Sequence, residues 1–242
     1  VDLLGVYVEP EGIDLPAVRA VSAAGIALHP VPEGSLRKVL DLVTPQSVVA
    51  VAAIPEASMR IVMESAVQLQ VPVLVLVELQ DPGNVGTLVR IAEAAGCAGV
   101  IITERSVDLF NPKTVRATAG SIFRLPVVQG ADVHEVVELC RSTGVATLAT
   151  VASGIAAAGG AATVDDAPLS GSVAILLGSE AHGLPAEVIQ GCDGGVSIPM
   201  EGEVESLNAA VAGAVVAFEA ARQRRVRARS LGDSAADTSH NV

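Results

Sequence analysis

The sequence predicts an α/β protein built around a mainly parallel β-sheet. Two observations carry this expectation. Short β-branched runs alternate with helix-period apolar patterns along most of the chain, and half of the 242 residues are hydrophobic, enough for a sizeable core. A chain of this length has room for one large domain or two unequal ones.

Taken in order, Leu3–Val8, Ile26–Val31 and Val48–Ala53 read as strands, with helices over Leu15–Ala24, Ser35–Val43 and Ala57–Gln68 between and after them. This series makes a small unit over residues 1–66. The helix-like run around Pro55–Pro72 reads as the connection to a second series. Its strands fall at Val73–Leu79, Val100–Thr103, Arg124–Val128, Val145–Val151, Val173–Leu177 and Val196–Ile198, which makes a larger domain over residues 73–230. Ala152–Gly171, rich in Ala and Gly with two adjacent aspartates, reads as a mobile surface excursion. Residues 231–242 are small and polar, the composition of a disordered tail.

Composition narrows the function classes. The longest apolar stretches, Val71–Val77 and Ala209–Phe218, fall short of the roughly 18 residues that span a bilayer, and no signal-peptide pattern opens the chain. The expectation is a cytoplasmic protein without a membrane partner. Cys97, Cys140 and Cys192 are too scattered for a disulfide framework or a zinc site. No Gly-x-Gly-x-x-Gly follows a strand, which sets aside a nicotinamide-dependent oxidoreductase. A net charge of −12 opposes generic nucleic-acid binding, and 2% aromatic residues leave little for base-stacking platforms. Arg222, Arg224, Arg225, Arg227 and Arg229 nevertheless cluster at the end of the last helix, either as a local RNA-binding patch or as a complement to the helix dipole.

Three segments carry candidate chemistry, each where an apolar strand gives way to a polar or Gly-rich turn. Asp81–Arg90 opens a helix whose buried face includes Val85, Leu88, Val89 and Ala92. Asn84 stands at its N-terminus, as a site residue or an N-cap, and Arg90 follows about 9 Å along the axis, as a site residue or a solvated charge. Ala174–Pro185 is a strand running into a loop bounded by Gly178 and Gly183, with Glu180 between them, at the kind of strand exit where parallel sheets bind ligands. The Ser179 and His182 spacing does not match a nucleophile elbow. Ile198–Asn208 leads into a helix with Leu207, Val211, Val215 and Phe218 on one apolar face, and Ser206 there is an N-cap or a site residue.

Together these segments resemble the three motifs of the SpoU, or TrmH-like, family of SPOUT RNA 2′-O-ribose methyltransferases, which includes TsnR-like tRNA and rRNA enzymes. Asn-x-Gly-x-x-x-Arg stands at 84–90, Gly-x-Glu-x-x-Gly at 178–183 and Ile-Pro-Met…Glu-Ser-Leu-Asn at 198–208. The resemblance covers roughly residues 73–222 and, through Glu33–Gln46, part of the family's amino-terminal RNA-binding domain. It implies a parallel sheet with a deep trefoil knot near the carboxyl terminus, S-adenosylmethionine bound in the knot as methyl donor without a metal, and a homodimer acting on a structured RNA, rRNA or tRNA, with the amino-terminal domain favouring rRNA. Carried over residue by residue, Asn84, Arg90, Glu180, Ser206 and Asn208 fall on catalytic or site-organising positions. Leu177, Gly178, Ser179, Gly183, Ile198, Met200 and Leu207 fall on the cofactor-binding loops. The other reading is a non-catalytic RNA-binding or ribosome-assembly factor that keeps the cofactor-binding knot. Two departures stand out: the chain begins at Val1 almost directly in a strand, without room for the family's opening helix and as though shortened, and Glu201–Glu205 places three carboxylates where RNA is expected.

Overall fold

The computed structural model describes residues 2–40, 46–152, 160–179, 181–202, 204 and 206–237. The chain divides into two compact units at Pro55/Glu56. In the first, strand β1 (Leu3–Val8) lies between β2 (Leu28–Pro30), which pairs with it in parallel, and β3 (Val48–Ala52), which pairs antiparallel. Helices α1 (Pro16–Ala23) and α2 (Ser35–Val39) complete the unit, whose small core gathers Val6, Val8 and Val18.

The second unit begins with helix α3 (Met59–Leu69). The sequence reading assigned most of this helix to the connection. Instead, Val62, Met63 and Ala66 are fully buried in the core of the larger unit, so the true connection is the short run before Ser58, whose hydroxyl caps the helix.

Seven strands then form one sheet: β4 (Val73–Leu76), β5 (Gly99–Thr103), β6 (Val127–Ala131), β7 (Ala146–Val151), β8 (Ala161–Thr163), β9 (Val173–Leu177) and β10 (Gly194–Ser197). Their order is β6-β5-β4-β9-β7-β10-β8, and every pairing is parallel. A parallel sheet is covered on both faces, and the strand sequences alternate between two cores accordingly. Leu74, Leu76, Ile102, Ile175 and Leu177 point to a core shared with α4 (Pro82–Ala95), α5 (Pro112–Ala117) and α8 (Ala209–Asp237). Val73, Val75, Ile101, Ala174 and Leu176 point to the opposite core, closed by α3, α6 (Val133–Thr143) and α7 (Ala186–Gly191). Each fully buried Leu or Ile here contributes roughly 1.5–3 kcal/mol of transfer free energy.

Four local expectations change. Strand β6 starts at Val127 rather than Arg124, because Ser121–Phe123 forms a 3₁₀ turn and Arg124 swings away to pair with Glu93. The Ala152–Gly171 excursion contributes β8, which pairs with β10, and sends Val164, Ala167 and Leu169 into the core; its residues 153–159 lie outside the described residues. Helix α8 continues through Asp237, past the start of the segment expected to be disordered, and residues 238–242 lie outside the described residues. Finally, α8 packs through a stripe of small residues, Ala210, Gly213, Ala217, Ala220 and Ala221, while Val211, Val215 and Phe218 remain exposed.

Candidate active site

The carboxyl ends of β7, β9 and β10 open into one cavity of about 310 Å³, within the size range of small-molecule sites. Leu177, Gly178, Ser179 and Gly183 line it from the loop after β9. Ile198 and Met200 line it from the segment after β10, and Ser206, Leu207 and Ala209 from the entry into α8. All seven residues expected on cofactor loops therefore face one space. Sequence reasoning missed Thr150, Val151 and Ala152, the end of β7, as a further wall. Nothing in a β-branched run marks its last residues as lining a site; only the sheet order, which sets β7 between β9 and β10, brings them there.

The β9 loop is closed tightly on itself. Gly183 N donates to Ser179 O at 2.8 Å, and His182 N to Ser179 Oγ at 3.3 Å. A Cβ on Gly178 would stand 2.2 Å from the Gly183 carbonyl carbon and 2.3 Å from Leu184 N, so only glycine allows the two strands of the loop to meet. Gly183 itself takes a left-handed φ of +66°. His182 also lines the cavity, at its exposed edge. Glu180 lies outside the described residues.

The two helix entries are capped by residues other than Asn84 and Ser206. Asp81, not Asn84, caps α4: its carboxylate accepts from Asn84 N at 2.7 Å. Asn208, not Ser206, caps α8, its Oδ1 accepting from Ala210 N at 2.9 Å and Val211 N at 3.3 Å. Freed from capping, the Asn84 side chain accepts from Asn208 Nδ2 at 3.1 Å, joining the first turns of the two helices. The join is possible because α4 and α8 pack closely: a Cβ on Gly213 would meet Leu88 Cδ2 at 2.3 Å. Arg90 lies on the exposed side of α4, outside the cavity lining, and has no ion pair among the described residues.

Two arginines of the carboxyl-terminal cluster are engaged within the fold, while Arg225, Arg227 and Arg229 are exposed. Arg222 pairs with Glu219, and Arg224 turns inward to donate to Ala95 O at 2.6 Å and Gly96 O at 3.3 Å, the carbonyl end of α4. Burial pushes the neighbouring Cys97 thiol up to about 12, and does the same to Cys140, about 12, and Cys192, about 11. None of the three is a nucleophile at neutral pH. Among the described residues, no His, Cys, Asp and Glu side chains gather as a metal cage.

Fold and cavity define a three-layer α/β protein that takes a small ligand at the ends of parallel strands, next to a helix carrying an exposed arginine. Comparison with known proteins gives the family. Residues 72–218 match the SpoU rRNA Methylase family, and the chain belongs to that family. The 23S rRNA (guanosine(2553)-2′-O)-methyltransferase RlmP of Bacillus subtilis is 32% identical over 194 residues, 80% of this chain and 72% of that protein. The 23S rRNA (uridine(2479)-2′-O)-methyltransferase of Streptomyces viridochromogenes is 37% identical over 144 residues, 60% of this chain and 50% of that one. Among solved structures, the AdoMet-bound rRNA methyltransferase of Sinorhizobium meliloti superposes with a TM-score of 0.77 at 28% identity, covering 91% of this chain and 80% of its own. The SpoU methyltransferase AviRb of Streptomyces viridochromogenes with AdoMet gives 0.75 at 29%, covering 93% and 84%. The fold expected from the sequence, an α/β protein with a SPOUT-type parallel sheet, is the fold of these relatives.

Proposed function

We propose that this chain transfers a methyl group from S-adenosylmethionine to a ribose 2′-hydroxyl of a structured RNA, ribosomal RNA in preference to tRNA. The observation that carries the reading is the convergence of the ends of β7, β9 and β10 on one cavity, with Asn84 and Asn208 joined at the entries of α4 and α8. Apolar side chains of Leu177, Ile198, Met200 and Leu207 fit a flat heterocycle, and loop main-chain groups fit its polar edges. The relatives solved with AdoMet share this fold, and the curated ones named above act on 23S rRNA. Nothing in the comparisons favours the non-catalytic alternative. The deep knot implied by the family belongs to this reading, supported by the return of β9 between β4 and β7.

When bound, the cofactor supplies an electrophilic methyl on a sulfonium, so the protein's task is orientation and help with the hydroxyl proton. Arg90, with a guanidinium that does not deprotonate in proteins, is an organiser rather than a base: it holds an adjoining phosphate and offsets charge developing on the ribose oxygen. Ser206 lines the cavity, and Asn208 caps the helix that follows it. The same reading takes the chain to be a homodimer in the cytoplasm. The exposed Val211, Val215 and Phe218 on α8 support the dimer, and sedimentation as a monomer at micromolar concentration would refute it. Among the described residues no helix is long and apolar enough to cross a membrane.

The test is incubation with labelled S-adenosylmethionine and in vitro transcribed rRNA or tRNA, followed by ribose-methylation mapping. Label at one 2′-hydroxyl, lost in Arg90→Ala, is expected. Absence of label from every RNA overturns the proposal, and near-normal turnover by Arg90→Ala removes that residue from the mechanism.

A further inference from the structure

The chain carries 27 acidic residues and 15 basic ones, and among the described residues only a minority of the cations pair with a carboxylate. Arg19, Arg105, Arg124, Arg141 and Arg222 each do. Lys113 and Arg116 on α5 do not: both are exposed, and neither has an ion pair among the described residues. The carboxylates near them in sequence or across the helix pair are engaged elsewhere. Asp108 accepts from Phe110 N, Asp81 from Asn84 N, and Glu93 holds Arg124. Their position is fixed by a glycine. A Cβ on Gly86 would fall 2.5 Å from both Ala117 Cβ and Thr114 O, so α5 lies directly on the backbone of α4. Arg90, one turn past Gly86 on the same helix, is thereby the neighbour of α5. Two packed helices thus carry three exposed cations, whereas of the carboxyl-terminal arginines Arg222 and Arg224 are engaged by Glu219 and by the end of α4.

We infer that Lys113 and Arg116 extend the surface around Arg90 into a phosphate-binding track for the substrate RNA. The inference rests on the methyltransferase reading and names the side from which RNA enters. Such a track supplies affinity without sequence choice, because each phosphate contact releases condensed counterions whatever the base. It also resolves the conflict between an acidic chain and an anionic substrate: the attraction is local and leaves the net charge intact.

The test measures binding of in vitro transcribed rRNA across a salt series, with cofactor affinity followed separately by calorimetry. In Lys113→Gln/Arg116→Gln, the slope of log affinity against log salt is expected to become shallower by about 0.7–0.9 per charge removed, with affinity at 0.1 M salt down on the order of tenfold per charge. S-adenosylmethionine binding is expected to stay unchanged. Arg60→Gln, on the opposite helical layer, serves as the control and is expected to leave the slope in place. A double variant with the wild-type slope overturns the track, while methylation by the wild-type protein keeps the methyltransferase reading standing. RNA binding through the track without methylation by the wild type supports the track and overturns that reading; failure of the wild type to bind RNA at all overturns both.

Discussion

Asn208 sustains two interactions at once, and replacing it separates them. Its Oδ1 caps α8 through Ala210 N and Val211 N, while its Nδ2 reaches Asn84 Oδ1. Loss of an Asn cap costs about 1 kcal/mol, and loss of a neutral side-chain hydrogen bond about 1 kcal/mol more. Asn208→Ala removes both, for about 2 kcal/mol. Asn208→Asp keeps an acceptor over the α8 amides, where a carboxylate is favoured by the dipole, but sets an oxygen against the Asn84 oxygen. It should cost about 1 kcal/mol, all from the broken join. Urea unfolding followed by far-ultraviolet circular dichroism reads both variants, and a cycle with Asn84→Ala isolates the coupling. If Asn208→Asp is as damaging as Asn208→Ala, the cap is not what the residue supplies. Wild-type stability in Asn208→Asp would mean that the join contributes nothing.

Two further outcomes follow from the geometry. Gly178→Ala sets a Cβ against the Gly183 and Leu184 backbone, which has no rotamer to escape into; strain of about 1–3 kcal/mol corresponds to roughly 5- to 150-fold weaker S-adenosylmethionine binding, and unchanged calorimetric affinity would show that the closed loop is not the binding form. The Arg124 guanidinium holds Glu93 at about 2 rather than its ordinary 4.5. A carboxyl with a lowered folded-state value stabilises the fold above the unfolded value and loses that contribution as pH falls through the folded one. Between pH 4.5 and about 2, stability should therefore fall less steeply in Glu93→Gln than in wild type, and parallel urea-midpoint profiles would refute the pairing.

Much of this was legible in the residues, and the exceptions share a cause. Val173–Leu177 and Leu3–Val8 declare themselves as strands because apolar, largely branched runs end at breakers. Ala161–Thr163 does not, since three small residues become a strand only by pairing with β10. Helical period located α8 and the face bearing its large hydrophobes, but not the stripe that packs on the core. Val211, Val215 and Phe218 are the larger hydrophobes, yet close approach to Leu88 and Leu177 selects the side bearing Gly213. The motif residues were visible individually, whereas the Asn84–Asn208 join spans 124 residues and the Arg224 contact 129, separations at which no local pattern operates.

Those two contacts also fix the direction of the helices they connect. The first turns of α4 and α8 meet at Asn84 and Asn208, and Arg224 meets the last carbonyls of α4, so the pair runs side by side with the same polarity. Aligned peptide dipoles repel one another sideways, and the packed stripe must hold them together against that. What results is a pair of amide-rich poles, each worth roughly half a positive charge, at the end of the layer where the strands deliver the cavity. On a chain of net charge −12, backbone direction thus contributes positive potential at that rim, against which the Asp81 carboxylate over the first turn of α4 is set.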